Sequence, residues 1–119
     1  VAKRFTDSRK WRDPFFRKLP THLKLFWIYL LDECNHAGMW KVDFEMASFC
    51  IGIEIAEQEA VSAFNGRIKV IDSETWFVPK FIDFQYGKLS EDSKPHKSVI
   101  DELKKERVYK GYAIRIRIR

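Results

Sequence analysis

The chain has 119 residues, with 22 Lys/Arg against 17 Asp/Glu for a net charge of +5, and is 45% apolar and 15% aromatic. That is enough apolar chain to core one domain, alone or with tails, and far too much for wholesale disorder, while five Gly and four Pro exclude collagen-like or linker character. No apolar run approaches the roughly 18 residues of a membrane span, and the basic N-terminus has no apolar segment behind it that would make it a secretory signal.

Residues 1–12 form a basic arm. Asp13-Pro14 has the chemistry of an N-cap followed by Pro at the first helical position, which predicts a short helix over 14–18 anchored by Phe15, Phe16 and Leu19. The strongest helix starts at Pro20-Thr21-His22. Leu23, Phe26, Trp27, Leu30, Leu31 and Cys34 fall at helical spacing, and Leu25, Ile28 and Tyr29 make its other side apolar too, as expected of a central helix. The turn-forming run Asn35-His36-Ala37-Gly38 should end it.

Met39 to Val42 alternates as a short strand, with Trp40 and Val42 facing one way. Asp43 caps a helix over about 44–51 that buries Phe44, Ala47 and Ile51 and stops at Gly52. A further helix is expected over about 54–66, with Ala56, Ala60, Val61 and Phe64 inward, ending at Gly66. Arg67–Asp72 and Thr75–Pro79 read as a β-hairpin around Ser73-Glu74, with Pro79 at a strand end. Phe81–Gly87 is apolar without a clear period and reads as a packed connector. Residues 95–108 read as a last helix whose narrow stripe, Val99, Ile100 and Leu103, suits loose packing or a partner. Ile114–Arg119 alternates Ile and Arg, compatible with an edge strand, a disordered basic tail or an appended end.

Helix, short strand, helix, turn, helix and hairpin, in that order, is the arrangement of a winged helix-turn-helix: an α+β fold, mainly α, with a small antiparallel sheet. The hairpin would be the wing and residues 39–42 the third strand. The expected division is an arm (1–12), a winged-helix domain (13–87), a connector with C-terminal helix (88–110) and a basic tail (111–119). Val1 in place of an initiator Met is compatible with a trimmed or partial chain, and a further domain could lie outside it.

Several stretches also look familiar: Phe5-x5-Trp11, Leu19-x5-Leu25-x2-Ile28-Tyr29-Leu30-Leu31, Ala37-Gly38-x-Trp40 and Phe77-Val78-Pro79-Lys80-Phe81-Ile82-x2-Gln85. In these the sequence, over roughly residues 3–105, resembles the N-terminal domain of phage-type replication initiation and replisome-organiser proteins, similar in plan to DnaD-type primosome proteins. The resemblance implies a cytoplasmic, non-catalytic DNA-replication module, and in DnaD-type proteins the winged helix can also serve self-association. Most of the shared positions are core and turn residues, so they bear on the fold more than on activity.

The charge is polarised. Residues 1–24 carry eight Lys/Arg and two Asp, residues 103–119 seven Lys/Arg and one Glu, whereas 43–66 carry five acids and no Lys or Arg. Helix 54–66, in the place that usually enters the major groove, exposes Glu54, Glu57 and Glu59, which repel phosphates. Gln58, Ser62 and Asn65 could reach base edges but have no phosphate clamps beside them. The expected DNA contact therefore shifts to the wing, Arg67, Lys69 and Lys80, and to the arm, Lys3, Arg4, Arg9, Lys10 and Arg12. Whether the DNA is single- or double-stranded stays open. Trp76 and Phe77 could stack on unpaired bases, with packing onto the core as the plainer reading.

The rival reading is a protein–protein or oligomerisation domain that uses the acidic helix 54–66 and the C-terminal helix, helped by the apolar connector 81–87. No catalytic, cofactor or metal site is expected. His22, His36 and His96 are scattered, no Cys-x2-Cys or His-x3-His spacing occurs, and no Gly-rich phosphate loop is present. Cys34 and Cys50 are read as buried free thiols.

Overall fold

Residues 3–105 are described by a computed structural model. A 3-10 turn over Ser8–Arg12 leads into α1 (Pro14–Arg17) and the long α2 (Thr21–Glu33). Strand β1 (Met39–Lys41) is followed by α3 (Phe44–Ile51) and α4 (Glu57–Ala63), then by the hairpin of β2 (Lys69–Asp72) and β3 (Thr75–Phe77), and finally by α5 (Pro79–Tyr86) and α6 (Lys94–Lys105).

The caps are those the sequence predicts. Asp13 accepts a hydrogen bond from the Phe15 amide at 3.0 Å and Asp43 one from the Met46 amide at 2.9 Å, each satisfying a donor that the first helical turn leaves free. The α2–β1 connection is built by Asn35, whose side-chain oxygen accepts from the amides of both Ala37 and Met39. Gly38 completes it with φ +80, and a Cβ there would lie 2.8 Å from the Val78 carbonyl oxygen, so only glycine lets the chain pass this close.

The sheet is antiparallel in the order β1-β3-β2, with Trp40 opposite Trp76 and Trp76 opposite Val70. Residues 39–41 are thus the third strand, as expected. Trp40, Trp76 and Phe44 gather around Phe26 of α2, with Phe64 stacked on the same ring at 5.6 Å between centroids. Strand geometry sends Met39 and Phe77 to the other face of the sheet. That face is shut off from solvent too, so β3 is buried throughout while β2 is an exposed edge. α5 and α6 add Phe81, Ile82, Val99, Ile100 and Leu103 to the same continuous core.

Some expectations are corrected. Residues 79–86 are a helix, not a connector, and Pro79 occupies its first turn instead of a strand end, because a residue without an amide donor costs nothing there. The helix expected over 54–66 spans only Glu57–Ala63. Glu54–Ala56 lie outside it, with Ala56 extended; Ile55 is buried in place of Ala56, and the Ile55 amide donates to Ser48 Oγ at 2.9 Å. The stripe on α6 is neither loose nor free, since Val99, Ile100 and Leu103 are fully buried within the chain. Cys34 is buried as expected, but Cys50 is exposed. Residues 106–108 of the expected last helix and the Ile114–Arg119 tail lie outside the described residues.

Candidate functional site

The arm is not a loose leader. Gln85 of α5 clasps it, accepting from the Phe5 amide at 3.2 Å and donating to the Phe5 carbonyl at 2.9 Å. Arg4 reaches past it to donate to the Cys34 carbonyl at 2.9 Å, and its guanidinium lies 5.2 Å from the centre of the Phe81 ring. Further along, Trp11 meets Phe16 edge-on at 5.0 Å yet stays 58% exposed.

The turn leading into β2 is tied to the α1 cap, where the arm ends. Arg67 donates to Asp13 at 3.2 Å and its guanidinium stacks 4.4 Å from the Phe15 ring centre. The cap of α1 and the base of the wing, 54 residues apart in sequence, are therefore one unit.

Between arm, α2 and α5 lies a cleft of about 680 Å³. Trp27, Ile28, Leu31, Phe81 and Phe84 give it apolar surface. Four of the expected contact residues, Arg9, Lys10, Arg67 and Lys80, line it. Four carboxylates line it too: Asp7, Asp13, Asp32 and Asp83. The cations are unequal. Arg9 is held by Asp7 at 3.0 Å, which also keeps the Asp7 carboxyl below its ordinary pKa, and Arg67 is held by Asp13. Lys10 and Lys80 have no ion-pair partner among the described residues.

The remaining expected residues are dispersed. Lys3 and Arg12 are exposed on the arm, and Lys69 is exposed on the edge strand β2, where it stands opposite the buried Phe77. Arg4 and Arg67 spend their guanidinium groups inside the chain, so their part is to position arm and wing. Gln58 and Ser62 are exposed on α4 and Asn65 just beyond it; none of the three lines the cleft. Beside them Glu59 is engaged by His22 Nε2 at 2.7 Å. Trp76 and Phe77 are buried and offer no ring to a base.

Gln85 is the residue whose role in the site sequence reading missed. It stands in the quoted resemblance, but its partner lies 80 residues away and nothing local announces it. Among the described residues, no three of His, Cys, Asp and Glu converge where a metal ion could be held, and no helix is long and apolar enough to cross a membrane. Burial pushes the Cys34 thiol up to about 12, leaving it an inert packing group. Compared with protein-family models, curated proteins and solved structures, the chain matches none.

Proposed function

We propose that the chain is a winged-helix DNA-binding module of a phage or bacterial replication protein, working in the cytoplasm without chemistry of its own. The reading is supported by the helix pair α3–α4 between β1 and the β2–β3 hairpin, with strand order β1-β3-β2. The observation that carries the contact surface is the Asp13–Arg67 link, which sets the arm cations and the wing base around one cleft. Lys10 and Lys80, which have no ion-pair partner among the described residues, would meet phosphates, with Lys69 and the exposed Arg12 extending the track. The apolar surface between them and the exposed Trp11 suit unpaired bases better than a duplex, because stacking needs open rings.

The test is anisotropy with single- and double-stranded DNA over a salt series, for the wild type and for Lys10→Ala with Lys80→Ala. A true phosphate contact contributes about 0.9 to the salt slope on a duplex and about 0.7 on a single strand, so the double variant should flatten it by between one and two units. Absence of binding at low salt, or a slope the double variant leaves alone, would sink the reading.

A second reading, docking of a protein partner on α3–α4, is favoured by an exposed apolar stripe there. Within it, Val99, Ile100 and Leu103 of the C-terminal helix and Phe81 and Ile82 offer no surface, because they are buried in the chain's own core, while Phe84 stays exposed. Light scattering over a concentration series tests self-association, and a strict monomer counts against it.

A further inference from the structure

The outer side of α3 carries Met46, Phe49 and Cys50 at positions i, i+3 and i+4, so helical spacing lines them up as one stripe, and Ile53 follows just past Gly52. Phe49 is 83% exposed, Ile53 53% and Met46 50%, and Cys50 is exposed with them. Single exposed apolar residues are ordinary, but several in helical register are the mark of a contact surface. Acids border the stripe: Asp43, Glu45, Glu54 and Glu57 are all exposed, and no Lys or Arg occurs anywhere in 43–66.

A second feature adjoins it. Met46 also lines a hollow of about 320 Å³, and so do Glu33 of α2, Asp43 at the α3 cap and Glu102 of α6. Tyr29 and Trp40 give the hollow aromatic surface, and Lys41 is the one cation of its lining among the described residues. Burial first, and then the nearby Glu33, Cys50 and Asp43, raise the Tyr29 phenol above its ordinary pKa, which sets hollow and stripe side by side. Carboxylates beside aromatic rings suit a lysine or arginine head. The same carboxylates repel phosphates, so nucleic acid does not fit here.

A ligand for this face must therefore be apolar along one stripe and cationic beside it. A helix with apolar residues at helical spacing and Lys or Arg on the flanks meets both demands. The eight-residue α3 is about 12 Å long, so two to three turns of a second helix would cover it.

We propose that α3 and the hollow beside it dock a cationic amphipathic helix of a partner protein, its apolar stripe on Met46, Phe49 and Ile53 and one lysine or arginine head among Glu33, Asp43 and Glu102. The proposal rests on the protein-partner reading above and names the chemistry of that partner. It uses none of the residues of the cleft.

Cys50 makes the test direct. It is exposed while Cys34 is buried, so a neutral maleimide added to the native protein reads Cys50. The probe is a synthetic leucine–lysine peptide of about 18 residues with its leucines at helical spacing. One control has the same composition in strict alternation, and the other carries glutamate in place of lysine. At ten times its dissociation constant the probe should slow labelling about tenfold, because only the uncovered face reacts. Glu33→Gln with Glu102→Gln should weaken that protection at least about tenfold, while Glu91→Gln with Asp92→Asn, the same charge change on an exposed turn elsewhere, should shift it less than about twofold. Phe49→Asp should abolish it, and circular dichroism checks that each variant keeps its fold. A probe that leaves the labelling rate unchanged, equal protection by either control, or equal weakening by the two charge pairs overturns the proposal. Labelling that is slow without any peptide and quickens on dilution overturns it too: the face then belongs to a second copy, and the protein-partner reading survives.

Discussion

Asp13 does two jobs that two substitutions can separate. Its carboxylate caps α1 through the Phe15 amide at 3.0 Å and pairs with Arg67 at 3.2 Å. Asp13→Ala removes both. Loss of a cap costs about 1 kcal/mol, within a range of roughly 0.5–2. The ion pair is about one-third exposed on each side, so screening holds its share below about 1 kcal/mol. The expected total is about 1–2.5 kcal/mol, or roughly 4–10 °C in melting temperature for a domain of this length. Asp13→Asn keeps the cap, since asparagine is among the best capping residues, and loses only the pair, for less than about 1 kcal/mol. Urea titrations of the two variants beside the wild type give the comparison. Equal losses in both would refute the division of labour, and an Asp13→Ala protein as stable as the wild type would refute the cap. The binding assay adds a sign: Asp13→Asn releases the Arg67 guanidinium toward the cleft, so the salt slope on duplex DNA should steepen by up to about 0.9.

Gln85→Ala should leave global stability within about 1 kcal/mol, since its two bonds are solvent-exposed, but should release the arm and speed tryptic cleavage at Arg9, Lys10 and Arg12 severalfold; an unchanged cleavage rate would mean the clasp is idle. Gly38→Ala forces a side chain into a left-handed turn and against the Val78 carbonyl, a cost of roughly 2–4 kcal/mol that denaturant titration should show, and a loss under about 1 kcal/mol would contradict the close approach. The Cys34 thiol is raised from 9.0 to about 12 by burial, so the folded state keeps a proton that the unfolded chain gives up. Stability should accordingly fall as pH rises from about 9 toward 12, and Cys34→Ala should lessen that slope; an equal slope in the variant would deny the thiol its part.

The parts of the fold that sequence made legible are those whose signal is local. Asp13, Asp43 and Gly52 announce helix ends because capping is a matter of neighbouring residues, and the stripe on α2 is long enough for its period to stand out. Residues 79–86 hid because Phe81, Ile82, Phe84 and Tyr86 crowd several faces of one short helix and blur the period, leaving Pro79 as the main clue, and Pro79 also suits a strand end. Ile55 hid because its place is fixed by Ser48, across the turn, and not by any pattern within its own helix. The site was legible only as a charge map. Composition places cations at arm and wing, but which of them are spent internally depends on Arg4 finding Cys34, Arg67 finding Asp13 and Phe5 finding Gln85, contacts between residues 30, 54 and 80 positions apart.

The tryptophans divide the molecule in a way that makes it its own instrument. Trp27, Trp40 and Trp76 lie in the core, and the rings of Trp40 and Trp76 meet edge to face at 5.1 Å. Trp11 alone stands out in solvent on the arm. An aqueous quencher therefore extinguishes the Trp11 share of the emission and spares the rest. What happens at the arm and what happens to the whole fold can be followed at once, at two readouts, in an unlabelled sample.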